Sequence, residues 1–366
     1  MTTFSQTLLE AAVGTPSVSG GEQEVVEILA QLLEGRVDKV DVDEVGNLIA
    51  EQGHGPVRVM VLGHVDTVPG EIPVRIEDGK LHGRGSVDAK GPLCAALSAA
   101  AGLPEALKSA MTFQVIGAVG EEAPRSVGAR HVLQTQPTPD LLVIAEPSGW
   151  DSVTLGYKGT FRMQLEATCA SHHPAGPEPS ASDDLVLALQ RIREAVEETN
   201  TRNDASSLEP RRAFDQIQFS VLSLRHTHDG LTENASASVG FRLPPDQPPA
   251  AIREMLQRVS LPETVQSREG AEALAAVRGD RNNVLARLFR TAIRQAGGTP
   301  RLVVKTGTSD WNVVAEKWDV PTVAYGPGDA GLDHTPNEHL DLHAYEASVE
   351  VWISVLERLV NETGEA

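Results

Sequence analysis

The chain has 366 residues, enough for two domains with separate cores. Its 51 acidic residues against 31 basic ones give a formal charge of −20, which disfavours nucleic acid and anionic membranes as partners. A hydrophobic fraction of 40% and a charged fraction of 22% are those of an ordinary globular protein. Cys94 and Cys169 are too few to form a disulfide framework. Residues 1–20 lack the basic start and continuous apolar run of a secretory signal. The longest apolar stretch, 93–103, is interrupted by Ser98 and Gly102 and is too short to span a bilayer. A cytoplasmic protein in a reducing compartment is expected.

Residues 4–13 have apolar side chains at helical spacing, and Thr15-Pro16-Ser17 breaks the run. A second helix is predicted over 22–34, and a short apolar strand over 57–62 stops at Gly63-His64. A hairpin over 74–81 turns at Asp78-Gly79. Asp88 then precedes Gly91-Pro92 and a helix of small residues through Ala101, proline being tolerated in a first helical turn. From Thr112 to about Trp150 strand and helix alternate, with strands at 112–119 and 141–145, which argues for a parallel sheet. The middle differs in character. It reads as strand 160–169, a Pro/Ser-rich loop, helix 183–197, strands 213–224 and 235–243, and helix 252–259. From Asn282 the earlier rhythm returns with helix 284–295, strands 301–305 and 321–325, and a last helix over 344–360. The predicted class is α/β: a mixed, mostly parallel sheet with helices on both faces, interrupted by an α+β insert of normal domain size. Residues 1–157 and 276–366 are expected to form one catalytic domain, and 158–275 the insert.

Five candidate metal ligands each follow an apolar run or a glycine turn: His64, Asp88, Glu122, Glu146 and His334. Strands ending in carboxylates and imidazoles bring them to one sheet edge, where open α/β folds keep their chemistry. Two histidines with several carboxylates suit zinc or a similar divalent ion. A lone histidine at a strand end is more often simply hydrogen-bonded, and the company of the other four reverses that reading. In His64-Val65-Asp66 the two polar side chains share one side of an extended segment, so Asp66 can orient the imidazole directly or through the backbone. Asp88 alone would pass for a helix cap, but a carboxylate has two oxygens and can bridge two cations about 3.5–4 Å apart. Adjacent Glu121 and Glu122 repel in a buried site unless they divide the work, Glu122 as ligand and Glu121 as general base. His226 and His228 have no clustered carboxylates and are set aside.

These motifs together resemble the M20 peptidase family of co-catalytic zinc amidohydrolases and exopeptidases. The matching pieces are Pro16-Ser17-Val18-Ser19-Gly20, Gly63-His64-Val65-Asp66-Thr67-Val68-Pro69, residues 83–91, Glu121-Glu122, Glu146-Pro147, and His334 with Asn337-Glu338, in the family's order. The resemblance implies a di-zinc exopeptidase-like fold, one metal on His64, Asp88 and Glu146, and the other on Asp88, Glu122 and His334. It implies zinc, with cobalt as an alternative, Glu121 as base and acid, Asp66 orienting His64, and a cis peptide between Asp88 and Ala89. It implies that the insert is a lid and dimerisation domain. His172 of Ser171-His172, or His173 in the adjacent register, would then polarise the scissile carbonyl in the partner of a homodimer. Asn234 and Arg242 match positions that hold a substrate carboxylate.

Glu146-Pro147-Ser148-Gly149-Trp150-Asp151, residues 154–159 and Asp333-His334-Thr335-Pro336 are most similar to family members that free lysine or ornithine from a small acidic amino-group carrier protein. The bond implied joins the amino acid to the carrier's C-terminal Glu. Such a partner would be repelled at long range by this chain and needs a local basic patch, for which Lys158, Arg211 and Arg212 are candidates. The competing readings are an acetylornithine or succinyl-diaminopimelate deacylase or dipeptidase of the same family, and a metal-free binding protein of the same fold.

Overall fold

The computed structural model describes residues 3–173, 175–206 and 212–364. The chain divides into two compact units, one of Met1–Gly156, Arg278–Val304 and Ser309–Ala366, the other of Tyr157–Val277 and Lys305–Thr308.

The first unit is built on a sheet whose centre is four parallel strands in the spatial order Met111–Ala118, Val57–His64, Leu141–Ile144 and Thr322–Ala324. Leu48–Gln52 pairs antiparallel with the first of these, and Lys39–Val42 antiparallel beyond it. Val59, Val61, Phe113, Val115 and Val143 share one core with Leu8, Leu29, Leu93, Phe289 and Trp352 from five helices. Those helices are Phe4–Gly14, Gln23–Leu33, Lys90–Ala101, Val284–Gln295 and Leu342–Gly364. The alternate strand residues Met60, Leu62, Ile116, Leu142 and Ile144 are buried too, so both faces of the sheet are covered. Continuous apolar strands of this kind require helices on both sides, which is the mixed α/β class expected.

Register decides where the site falls. His64 pairs with Ala118, and Leu62 with both Ile116 and Ile144, so the three central strands end level. The residues that follow, His64 to Asp66, Gly120 to Glu122, and Glu146, therefore emerge together at the carboxyl ends of the parallel strands. The Asp88–Ala89 peptide is cis.

The second unit is a four-stranded antiparallel sheet in the order Gln218–His228, Thr232–Leu243, Gly159–Ala170, Val265–Leu274. Helices Ala181–Ser206 and Pro249–Gln257 cover one face, burying Phe161, Leu165, Leu185, Ile192, Val239 and Ile252. A strand predicted from 213 begins only at Gln218. Ala213–Asp215 is instead a 3-10 turn, with Asp215 accepting from the Arg212 backbone N–H and Phe214 buried. Val265–Leu274 escaped the sequence reading because Gln266, Ser267, Arg268 and Glu269 are polar in succession, which leaves no period-two alternation to read.

Candidate metal centre

Strand ends and loops of the first unit bring the five candidate ligands together. His64 ends its strand fully buried, and its Nδ1 donates to the backbone carbonyl of Asp66 at 3.0 Å. That bond turns Nε2 towards Asp88 Oδ1 at 3.2 Å and Glu146 Oε1 at 3.7 Å. On the other side, His334 Nε2 lies 3.0 Å from Asp88 Oδ2 and 2.7 Å from Glu122 Oε1. Asp88 thus presents a different oxygen to each imidazole. His64, Asp88 and Glu122 also offer ligand atoms all within 4.8 Å of one another. His334 is half-exposed and holds a left-handed backbone, φ 59°, a strained conformation for a non-glycine residue.

Asp66 acts differently from a simple imidazole partner. Its Oδ1 is 3.4 Å from His64 Nδ1, longer than the bond to its own carbonyl. Its stronger contacts are from backbone donors: Glu121 N–H to Oδ1 at 3.1 Å and Glu122 N–H to Oδ2 at 3.0 Å. The Ser19 hydroxyl also donates to Oδ2, at 2.7 Å. Gly120, at φ +68°, turns the chain into this loop, and its N–H donates to Glu22 Oε1 at 3.1 Å. The Pro16–Gly20 segment reaches the site by a bridge from Val18 to Thr67 and a Ser17 hydroxyl bond to the Val65 carbonyl at 2.7 Å.

The electrostatics fit a donor set made for cations. Burial, with Asp310, Glu146 and Glu122 nearby, pushes the Glu121 carboxyl well above the usual range against the pull of His64. Burial works against a charged His64, yet Asp66 and Asp88 hold its imidazole well above its ordinary value. Bonds to Asp88 and Glu122 raise His334 to about 10, and the two imidazoles hold Asp88 below the carboxylate range despite burial. So many carboxylates in one buried cluster are stable only by sharing protons with the imidazoles or by binding cations.

Sequence reasoning missed several residues around this centre. Asp310, buried at the start of helix Asp310–Val314, is pushed up to about 7 by burial and by the like charge of Asp66. The Ser309/Asn312 capping box was the available signal. Glu22 gave none, because an acidic residue before a helix is ordinary.

The remaining predicted residues lie in the second unit. His172 Nε2 is 3.3 Å from the Pro179 carbonyl, and its Nδ1 is 3.4 Å from the His173 carbonyl. These carbonyls, His173 first, raise its imidazole. Asn234 accepts from the Thr168 hydroxyl at 2.9 Å, and Arg242 donates to the Thr308 hydroxyl at 3.0 Å. Asn234 and Arg242 share a face of Thr232–Leu243 but stand eight residues apart, roughly 26 Å along a strand. Within one copy they cannot grip the same carboxylate. Lys158 is buried and donates to the Gln216 carbonyl at 2.5 Å, so it is not part of a surface basic patch. Arg211 lies outside the described residues.

Comparison with known proteins agrees with this architecture. Residues 60–358 match the model of "Peptidase family M20/M25/M40". The "[LysW]-lysine hydrolase" of Deinococcus radiodurans is 46% identical over 358 residues, covering 96% of both chains. The "[LysW]-lysine/[LysW]-ornithine hydrolase" of Saccharolobus islandicus is 26% identical, covering 83% of this chain and 82% of that one. Among solved structures, an M20 family metallo-carboxypeptidase from Sulfolobus solfataricus superposes with a TM-score of 0.75 at 19% identity, over 98% of this chain and 99% of that one. The chain belongs to peptidase family M20/M25/M40.

Proposed function

We propose that this chain is a di-metal amide hydrolase that releases L-lysine, L-ornithine or both from the C-terminal Glu of an amino-group carrier protein, in lysine or arginine biosynthesis. The observation that carries the substrate choice is the 46% identity, end to end, to a LysW-lysine hydrolase. The chemistry rests on the two donor sets that share Asp88. In this reading His64, Asp88 and Glu146 hold one divalent ion, and Asp88, Glu122 and His334 hold the other. Zinc suits the mixture of imidazole and carboxylate, with cobalt as a functional substitute. Ions bound there would acidify a water and polarise the amide carbonyl.

Glu121 takes the proton of the attacking water and later delivers a proton to the leaving α-amine. A carboxylate whose proton affinity is raised by burial and by neighbouring carboxylates is a stronger base than an exposed one. Asp66 orients this base through its backbone N–H and fixes the His64 ring through its own carbonyl. His172, or His173, of a partner copy polarises the scissile carbonyl. Arg242 binds a substrate carboxylate, for which its planar fork is suited.

A homodimer is supported by the open edge of the second unit's sheet. Gln218–His228 ends that sheet among the described residues, with Leu222 and Leu224 half or more exposed. A cytoplasmic setting is supported by two free thiols. Among the described residues no helix is long and apolar enough to cross a membrane.

The deciding experiment offers purified enzyme four substrates: lysine-loaded carrier, ornithine-loaded carrier, acetylornithine and succinyl-diaminopimelate. Release of lysine or ornithine from the carrier is expected. Turnover of acetylornithine with neither carrier conjugate cleaved would refute the reading.

A further inference from the structure

Glu338 is completely buried beside the centre, yet it belongs to neither donor set. Its Oε1 accepts from the backbone N–H of Val87 at 2.9 Å and of Asp88 at 3.1 Å. Its Oε2 accepts from Arg84 Nη1 at 2.7 Å, an ion pair that is itself mostly buried. Its backbone carbonyl accepts from Gly83 N–H at 3.4 Å. One residue therefore holds the Gly83–Asp88 turn at four points. The next residues continue the grip as a strand, His339 pairing with His82 and Leu340 with Leu81.

The consequence lies in the sequence spacing. Glu338 follows His334 by four residues, on the same loop. Asp88 and His334 are the pair whose Oδ2 and Nε2 approach to 3.0 Å. The loops that supply them are thus tied together by one carboxylate standing behind them. Burying a charge is costly unless its partners are fixed and complete, and here they are two backbone amides and a guanidinium. An apolar residue could fill the space without that cost, but it would leave both amides unpaired and the turn free to shift. Groups behind the ligands that orient them commonly tune metal affinity tenfold to a hundredfold.

We propose that Glu338, braced by Arg84, is a positioning residue. It sets the separation of Asp88 from His334 and so the affinity of the Asp88, Glu122 and His334 set for its ion. The inference rests on the two-set reading of the ligands and not on the carrier substrate.

Metal-free protein titrated with Zn(II) by calorimetry, and with Co(II) by visible absorption, tests it. Wild type should take up two equivalents. Glu338→Gln keeps one acceptor for the amides but turns an NH2 towards Arg84. It should weaken one equivalent by about tenfold to a hundredfold and spare the other. It should also lower kcat with little change in KM. Arg84→Met, which leaves the backbone bonds in place, should weaken the same equivalent by less. Unchanged affinity for both equivalents in Glu338→Gln would overturn the proposal. If that variant loses its cooperative thermal unfolding, Arg84→Met decides, and unchanged binding there overturns it equally. A wild-type enzyme that binds two ions but ignores carrier conjugates would count against the substrate reading and leave this one standing.

Discussion

Asp66 accepts a hydrogen bond from the backbone of Glu121, at 3.1 Å, so the proposed base is positioned by its own main chain. The same carboxylate takes the Glu122 amide and the Ser19 hydroxyl, which joins three separate segments of sequence at one buried group. Asp66→Asn offers one oxygen where two now accept, and it turns an NH2 towards backbone donors. Metal affinity should fall about tenfold to a hundredfold, and kcat with it, while the protein still folds. Equilibrium dialysis followed by steady-state kinetics checks this, and wild-type values for both would remove Asp66 from its role.

Glu121→Gln removes the base and leaves the donor sets whole. Turnover should drop about a hundredfold to ten-thousandfold, the range for a lost general base. Metal content by elemental analysis should stay near the wild-type value. Retained activity would show that another group moves the proton.

Chelation should abolish hydrolysis, and added Zn(II) or Co(II) should restore it. The metal-free protein should remain folded, because the imidazoles raised beside Asp88 and Glu122 can carry the compensating positive charge. Circular dichroism before and after chelation tests the second part. Collapse of the fold on metal removal would contradict it.

Asp310 makes a pH-dependent prediction for that metal-free form. Burial raises its folded value to about 7, above the 3.8 of a free aspartate. The proton is therefore held more tightly in the folded state. The resulting stabilisation is complete below pH 3.8 and is lost as pH rises through about 7. Asp310→Asn has no such proton to lose. Its melting temperature should gain on that of wild type between pH 5 and pH 8, and a constant difference across that range would refute the assignment.

The exposed edge strand gives a prediction about assembly. Leu222→Glu with Leu224→Glu places two carboxylates on the open edge, outside the core of the second unit. Light scattering should show a monomer in place of a dimer, with kcat reduced because His172 would no longer reach a partner. A dimer that survives the double substitution would place the interface elsewhere.

Much of the fold and of the candidate centre is legible in the sequence. Helix Val284–Gln295 agrees with its predicted bounds because it carries one unambiguous helical period, and strand Arg301–Lys305 because its short apolar run is closed by a cation at each end. Leu48–Gln52 and Asp310–Val314 did not declare themselves. The strand is short and begins in a turn, and the helix is a single capped turn whose polar residues are all buried. Lys158 looked like a surface charge because burial is a tertiary property, and a lysine carries no local mark of it.

The ligand types and their order follow from local chemistry: an apolar strand must end, and here it ends in an imidazole or a carboxylate. Sequence alone therefore named the five candidate ligands, His64, Asp88, Glu122, Glu146 and His334. The division of Asp88 between two imidazoles required the level ending of three parallel strands and a turn clamped by Glu338, with contacts such as that of Val87 and Glu338, 251 residues apart. The holding of Glu121 by Asp66 likewise depends on a main-chain amide, which every residue has. Side-chain identity can announce a ligand, but only the folded chain decides which amide faces which carboxylate.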